Sequence, residues 1–125
     1  MKQLNLIYAE DDNLTAKVMI FALKKEGFVI RYFPSGEGVV EAALEEKPDV
    51  ILLDLMMPIK DGYKVYREIK ENKNTSDVPV LMFSAVEQMR DIETNKKFKQ
   101  DEYIVKPCSP EFVIDKIKSL LNYNS

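Results

Sequence analysis

The chain has 125 residues, of which 46% are hydrophobic and 31% are charged, a length and composition that predict one domain over residues 1–125. Its net charge of −3 argues against direct nucleic-acid binding, and the lack of a long apolar run or a signal-peptide-like start predicts a cytoplasmic protein that does not engage a membrane. The absence of histidine and the single cysteine, Cys108, exclude an internal disulfide, an imidazole-based zinc site and any nucleophile that depends on histidine.

The first half of the chain alternates predicted strands with predicted helices. Residues 4–9 form a predicted strand that ends at the acidic cluster Glu10-Asp11-Asp12. Asp12 is the expected N-cap of the next helix, and Gly27 is placed for its C-terminal cap. Apolar residues of this helix share one face of a 3.6-residue period: Leu14, Val18, Phe21 and Ala22. A strand at residues 28–33 precedes a second helix, which is marked by Val39, Val40, Ala43 and Leu44.

The second half of the chain continues this alternation. Residues 50–53 are apolar and rich in branched side chains, which is typical of a strand covered on both faces of a parallel sheet, and the run ends at Asp54. Helices are predicted at residues 63–71 and 86–98, and strands at residues 78–83, before Ser84, and 103–105, before Lys106-Pro107. Ser109 caps a last helix, whose apolar stripe is Val113, Ile117, Leu120 and Leu121. The whole pattern predicts an α/β fold, a doubly wound parallel sheet of five strands with five helices on its two faces.

Reactive side chains follow four of the five predicted strands. Because the carboxyl ends of parallel strands meet at one edge of a sheet, Glu10, Asp11 and Asp54 are expected to share a site. Carboxylates so close together repel one another, and a divalent cation such as Mg²⁺ relieves this repulsion. Lys106 would add a positive charge and Ser84 a hydroxyl group. This set suits a phosphoryl group, with Asp54 as the nucleophile.

Five short motifs in this order carry a family resemblance: Glu10-Asp11, Asp54 with Met57-Pro58 and Gly62, Ser84-Ala85, Tyr103, and Lys106-Pro107. Together they resemble the response-regulator receiver domain of two-component signalling, in its single-domain, chemotaxis-regulator-like form. The resemblance covers the whole chain at matching spacings. It implies a flavodoxin-like sheet with the strand order 2-1-3-4-5.

The resemblance also implies a role for each motif residue. Asp54 would accept the phosphoryl group, and Mg²⁺ would be bound by Glu10, Asp11, Asp54 and the backbone carbonyl of Met56. Phosphoryl binding and switching would involve Ser84, Lys106 and Tyr103, and the peptide bond between Lys106 and Pro107 would be cis. Met56 and Val86 would flank the phosphoryl group with apolar side chains, which predicts a slow loss of that group by hydrolysis.

The partners follow from the same resemblance. A sensor histidine kinase or a phosphotransfer protein would donate the phosphoryl group from a phosphohistidine. Phosphorylation would then switch the surface formed by the fourth helix, fifth strand and fifth helix toward a downstream effector protein. The chain would not be an enzyme, because the only reactions it would catalyse are its own phosphorylation and dephosphorylation. It could be a stand-alone regulator or the receiver of a longer protein.

Three other functions are weighed against this one. A receiver-like docking module without phosphorylation is disfavoured by the intact acidic set. A Mg²⁺-dependent phosphatase with an Asp nucleophile needs a second Asp two residues later, where this chain has Met56. A flavin-binding electron carrier of this fold needs a hydroxyl- and amide-rich loop after the first strand, and Glu10-Asp11-Asp12 would repel its phosphate.

Overall fold

The computed structural model describes residues 3–85 and 103–121. The strands in these ranges are β1 (Asn5–Ala9), β2 (Val29–Phe33), β3 (Val50–Asp54), β4 (Val80–Ser84) and β5 (Tyr103–Val105). The helices in these ranges are α1 (Asn13–Lys25), α2 (Val39–Glu45), α3 (Gly62–Glu71) and α4 (Pro110–Leu120). The predicted fourth helix at residues 86–98 lies outside the described residues, so α4 is the helix predicted as the fifth. None of the helices within the described ranges has the length and apolar character needed to cross a membrane.

The five strands form one parallel sheet in the order β2-β1-β3-β4-β5. This arrangement confirms the predicted doubly wound, flavodoxin-like α/β fold. Every residue of β3 and β4 is buried, as expected for central strands with apolar layers on both faces. Helices α1 and α4 pack against one face of the sheet, and helices α2 and α3 pack against the opposite face.

Three predicted helix boundaries are confirmed. The side chain of Asp12 accepts a hydrogen bond from the backbone amide of Thr15 at the start of α1. Gly27 follows the end of α1 with a φ of +97°, the left-handed conformation that glycine adopts easily. Ser109 accepts a hydrogen bond from the amide of Phe112 and is followed by Pro110 at the first position of α4.

The apolar face predicted for α1 does not pack against the sheet. Leu14, Val18 and Phe21 are exposed, and of the predicted face only Ala22 packs, half-buried, against the core, whereas Ala16, Met19 and Leu23 are buried. The periodicity was ambiguous because apolar residues cover almost the whole circumference of this helix. The sheet therefore selects which side is buried, and the prediction of the face was wrong. On α2, Leu44 is likewise 45% exposed, while Val39, Val40 and Ala43 are buried as predicted.

The loop between β3 and α3 is held in place by the loop that precedes α2. The amide of Gly36 donates a hydrogen bond to the carbonyl of Lys60. A Cβ atom at Gly36 would lie 2.2 Å from that carbonyl oxygen, so the two backbones approach as closely as glycine allows. Ile59 in this loop has a φ of +67°, which β-branched residues rarely adopt. This anchored loop fixes the backbone that leaves the carboxyl end of β3.

Candidate functional site

The strand register brings three acidic residues to one edge of the sheet. Ala9 of β1 is opposite Leu53 of β3, so Glu10 and Asp54 are neighbours where these two strands end. Carboxylate oxygens of Glu10, Asp11 and Asp54 all lie within 4.8 Å of one another. Glu10 and Asp54 are only 1% and 6% exposed, whereas Asp11 is exposed. These three residues are called the acidic cluster below.

Lys106 bridges two members of the acidic cluster. Its Nζ donates a hydrogen bond of 3.0 Å to Oδ2 of Asp54 and one of 3.3 Å to Oε1 of Glu10. The residue follows β5 directly, and the peptide bond that joins it to Pro107 is cis. Its side chain is 31% exposed, so the ammonium group lies at the mouth of the site. A cation is therefore in contact with the candidate nucleophile before any phosphoryl group arrives.

Backbone groups and one tyrosine hold Glu10 in position. Its Oε2 accepts a hydrogen bond of 3.1 Å from the amide of Asp12, and its own amide donates to the carbonyl of Phe33. The hydroxyl of Tyr32 donates to the backbone carbonyl of Glu10. Sequence reasoning missed Tyr32, because an aromatic residue near the end of a strand signals only β structure. Its role depends on the pairing of β1 with β2, which is a tertiary property.

Burial and neighbouring charges shift the pKa values of Glu10 and Lys106. Burial and then the neighbouring Asp54 carboxyl group raise the pKa of Glu10 to about 7, against the lowering effects of the Asp12 amide and Lys106. Burial alone would lower the pKa of Lys106, but its contacts with Asp54 and Glu10 raise the pKa overall. Two effects therefore lower the negative charge of these carboxyl groups: the Lys106 ammonium contacts two of them, and Glu10 holds a proton below about pH 7.

The donor set of the acidic cluster fits Mg²⁺. It offers carboxylate oxygens from three residues at one open edge of the sheet, and hard cations of this kind prefer oxygen ligands. The amide of Met56 donates a 3.4 Å hydrogen bond to Oδ1 of Asp54, and the side chain of Met56 is 62% exposed. The contribution of the Met56 carbonyl to a metal shell remains a prediction.

Ser84 and Tyr103 lie on one side of the sheet. The register pairs Met82 with Tyr103 and Ser84 with Val105, and side chains alternate along a strand, so Ser84 and Tyr103 face the layer that contains α2 and α3. Ser84 is fully buried, and its carbonyl accepts a 2.7 Å hydrogen bond from the amide of Lys106. The structure thus links Ser84 to the segment that carries Lys106, whereas the switching roles of Ser84 and Tyr103 remain predictions.

Raising the pH should destabilise the metal-free protein and strengthen its binding of Mg²⁺. The pKa of Glu10 rises from an ordinary value of 4.5 to about 7 on folding, so the folded chain holds this proton more tightly than the unfolded chain. The contribution of Glu10 to the free energy of unfolding should therefore fall between about pH 4.5 and about pH 7. Mg²⁺ competes with the same proton, so its affinity should fall by up to about tenfold per pH unit below about pH 7.

Urea unfolding at about pH 5 and about pH 8 measures the change in stability. Calorimetric titration with Mg²⁺ at the same two pH values, without urea, measures the change in affinity. The Glu10→Gln variant isolates this carboxyl group from the other titrating residues and should lose the pH-dependent difference. A Mg²⁺ affinity that stays constant from about pH 5 to about pH 8 would contradict the assignment of Glu10 to the metal site.

Comparison with known proteins agrees with this fold and identifies its family. Residues 6–118 match the response regulator receiver domain family. Similar solved structures include the signal receiver domain of a signal transduction histidine kinase from Syntrophus aciditrophicus, with 24% identity, a TM-score of 0.86 and coverage of 98% of this chain and 92% of that chain. A second is the chemotaxis response regulator CheY4 of Vibrio cholerae, with 18% identity, a TM-score of 0.85 and coverage of 96% and 100%.

A third similar structure contains a metal. It is the receiver domain of the sensor histidine kinase PA1611 from Pseudomonas aeruginosa PAO1, which has a magnesium ion coordinated in its active-site cleft. Its sequence is 23% identical, its TM-score is 0.85, and the match covers 97% of this chain and 99% of that chain. The parallel sheet and the acidic edge are those expected of a receiver domain. The family match over most of its length shows that the chain belongs to the response regulator receiver domains of two-component signalling, which work with sensor histidine kinases.

Proposed function

We propose that this chain is a phosphoacceptor receiver that takes a phosphoryl group onto Asp54 in a Mg²⁺-dependent reaction. The observation that supports this most directly is the acidic cluster, whose carboxylate oxygens lie within 4.8 Å of one another, with the Lys106 ammonium 3.0 Å from Asp54. The donor is a phosphohistidine on a sensor histidine kinase or a phosphotransfer protein, and the reaction takes place in the cytoplasm. The chain catalyses its own phosphorylation and dephosphorylation and is not otherwise an enzyme.

The transfer is a single displacement at phosphorus. A carboxylate oxygen of Asp54 forms the new bond to phosphorus while the bond to the donor's imidazole nitrogen breaks, and the electron pair of that bond stays on the imidazole. Mg²⁺, held by the acidic cluster and the Met56 carbonyl, would supply positive charge that balances the phosphoryl oxygens. The Lys106 ammonium donates hydrogen bonds to Asp54 and Glu10 before the transfer. During the transfer it turns to a phosphoryl oxygen and stabilises the negative charge there.

The phosphorylated site then shifts the population of surface conformations. The Ser84 hydroxyl is drawn toward the phosphoryl group, and Tyr103, which shares its side of the sheet, turns inward behind it. The surface of residues 86–98, β5 and α4 then favours a downstream effector protein. The net charge of −3 favours a protein partner over direct contact with nucleic acid.

Treatment with a small phosphodonor and Mg²⁺ tests the central step. Intact-mass measurement should show the gain of one phosphoryl group on the natural chain and none on the Asp54→Ala variant. Asp77→Ala is the matched control, because Asp77 is an exposed acid that pairs with Lys47 far from the site, and this variant should still be phosphorylated. A natural chain that gains no mass would contradict the proposal and favour a docking module without phosphorylation.

The phosphoryl group should persist on this chain. The side chain of Met56 is apolar and exposed beside Asp54, and Val86, which lies outside the described residues, is apolar as well, so neither side chain can orient an attacking water. Met56→Asn and Val86→Glu should each shorten the half-life of phosphorylated Asp54 several-fold, measured by the decay of the added mass after the donor is removed. Unchanged half-lives in both variants would show that these positions do not control hydrolysis.

A further inference from the structure

A cavity lies between the sheet and the inner side of α1, beside the acidic cluster. Its volume is about 230 Å³, and its walls are mainly apolar. Three side chains nevertheless bring polar groups to it, those of Tyr8, Glu10 and Lys106. Water occupies about 30 Å³ per molecule in the liquid, so a cavity of this size with polar groups on its wall has room for several water molecules.

Tyr8 is the buried polar residue of this cavity that the proposed reaction does not use. It is 1% exposed and lies two residues before Glu10, so the two side chains are on the same side of the sheet. Its ring packs between those of Tyr32 and Phe83, whose centroids are 6.0 Å and 6.5 Å away. This aromatic packing fixes the position of the Tyr8 hydroxyl.

The hydroxyl of Tyr8 has no hydrogen-bond partner among the described residues. In the same part of the chain, every side-chain oxygen or nitrogen that is fully buried does have a partner, so the Tyr8 hydroxyl must contact the cavity. A phenol hydroxyl is a hydrogen-bond donor at neutral pH, and leaving such a group unpaired is unfavourable. Its partner is therefore a molecule inside the cavity.

The carboxylate of Glu10 has one donor that stays in place and one that leaves. Its Oε2 accepts a hydrogen bond of 3.1 Å from the amide of Asp12, which the transfer does not disturb. Its Oε1 accepts a hydrogen bond of 3.3 Å from Lys106, and the proposed transfer turns this ammonium group to the phosphoryl group. Glu10 is 1% exposed, so Oε1 then needs another donor, because a buried charged acceptor without a partner is unfavourable.

We propose that Tyr8 is a positioning residue for Glu10 and that its hydroxyl supplies this donor through a water molecule in the cavity. The water accepts a hydrogen bond from the Tyr8 hydroxyl and donates one to Oε1 of Glu10, and no proton is transferred. The water shares Oε1 with Lys106 before the transfer and becomes the main donor to it when Lys106 turns away. The inference rests on the proposed function, because that reaction is what removes Lys106 from Glu10.

Tyr8→Phe removes the hydroxyl and keeps the packed ring. It should slow phosphoryl acceptance from a small phosphodonor about tenfold, because one hydrogen bond to a buried charged group is lost during the transfer. The half-saturating concentration of the phosphodonor should not change. The matched control is Tyr66→Phe, which removes a hydroxyl from a half-buried residue of α3 on the opposite face of the sheet and should leave the rate unchanged. A natural rate in Tyr8→Phe overturns the proposal.

A double-mutant cycle with Lys106→Met separates positioning from packing. Without the ammonium group, the water is the main donor to Oε1 of Glu10 both before and during the transfer, so its hydrogen bond no longer favours either state. In this background, Tyr8→Phe should slow phosphoryl acceptance less than about twofold, against about tenfold in the natural chain. Equal fold-changes in the two backgrounds would show that Tyr8 acts only through packing and would overturn the positioning role.

A high-resolution crystal structure of the natural chain provides a readout that does not depend on phosphorylation. An ordered water should lie within about 3 Å of both the Tyr8 hydroxyl and Oε1 of Glu10, and it should be lost in Tyr8→Phe. A cavity with no ordered water at this place overturns the proposal. A chain that has this water but gains no phosphoryl group contradicts the proposed function instead, so the two failures can be distinguished.

Discussion

Replacing Gly62 with alanine should cost about 3 kcal/mol or more of folding free energy and impair phosphoryl acceptance by Asp54. A Cβ atom at this position would lie 2.3 Å from the carbonyl oxygen of Asp54 and 2.9 Å from Sδ of Met82. The methionine side chain can move, but the carbonyl belongs to the end of β3. The amide of Gly62 also donates a 2.9 Å hydrogen bond to the carbonyl of Leu55, which ties α3 to the same loop. Relief of the clash must therefore displace the residue that carries the candidate nucleophile.

Gly27→Ala is the matched control for Gly62→Ala. A Cβ atom at Gly27 would have no neighbour within 4 Å, but its φ of +97° is unfavourable for alanine. This variant should lose about 1 kcal/mol through backbone conformation alone and keep normal phosphoryl acceptance. Urea unfolding followed by circular dichroism measures both variants. Equal losses in the two variants would show that the close approach of Gly62 to β3 does not matter.

Replacing Lys106 with methionine should slow phosphoryl acceptance about 100-fold or more. The ammonium group that contacts both Asp54 and Glu10 is removed, while most of the aliphatic chain is kept. Near pH 8 the metal-free variant should also lose roughly 1 to 2 kcal/mol of stability, less than for a fully buried pair because the Lys106 side chain is 31% exposed. The loss should be smaller near pH 5, where Glu10 is protonated because its pKa is about 7. Mg²⁺ should restore part of the stability near pH 8, because it supplies the missing positive charge.

Lys118→Met provides the comparison for Lys106→Met. Lys118 pairs with Glu26 on the surface, and both side chains are more than a third exposed, so its loss should change neither stability nor phosphorylation measurably. Phosphorylation rates come from the time course of mass gain with a small phosphodonor. A Lys106→Met variant that is phosphorylated at the natural rate would refute the role of this ammonium group.

Much of the fold could be predicted because its signals are local. The apolar run of β3, the cap at Asp12 and the Ser109-Pro110 start of α4 each depend on a few neighbouring residues, and the structure confirms all three. The parallel sheet then follows from the alternation of strands and helices. By contrast, the inward face of α1 was predicted wrongly, since a helix that is apolar nearly all round has no unique inner side until it meets the sheet.

The candidate site, like the fold, could be predicted only in part. The residue types and the strand ends that carry them could be read from the chain, because parallel strands end at a common edge. The contacts between the side chains of the site could not be predicted from the sequence. The bridge from Lys106 to Glu10 joins residues at opposite ends of the chain, and the hydrogen bond of Tyr32 to the Glu10 carbonyl depends on the pairing of β1 with β2.

The sequence by itself determined which strands form, where each one ends to within one residue, and which charged groups are placed near those ends, since these properties depend on short-range propensity and spacing. Only the tertiary structure decided how deeply Glu10 is buried, and hence its raised pKa, and which side of α1 is left exposed. Both depend on solvent being excluded by segments that are distant in the chain. No local pattern contains that information.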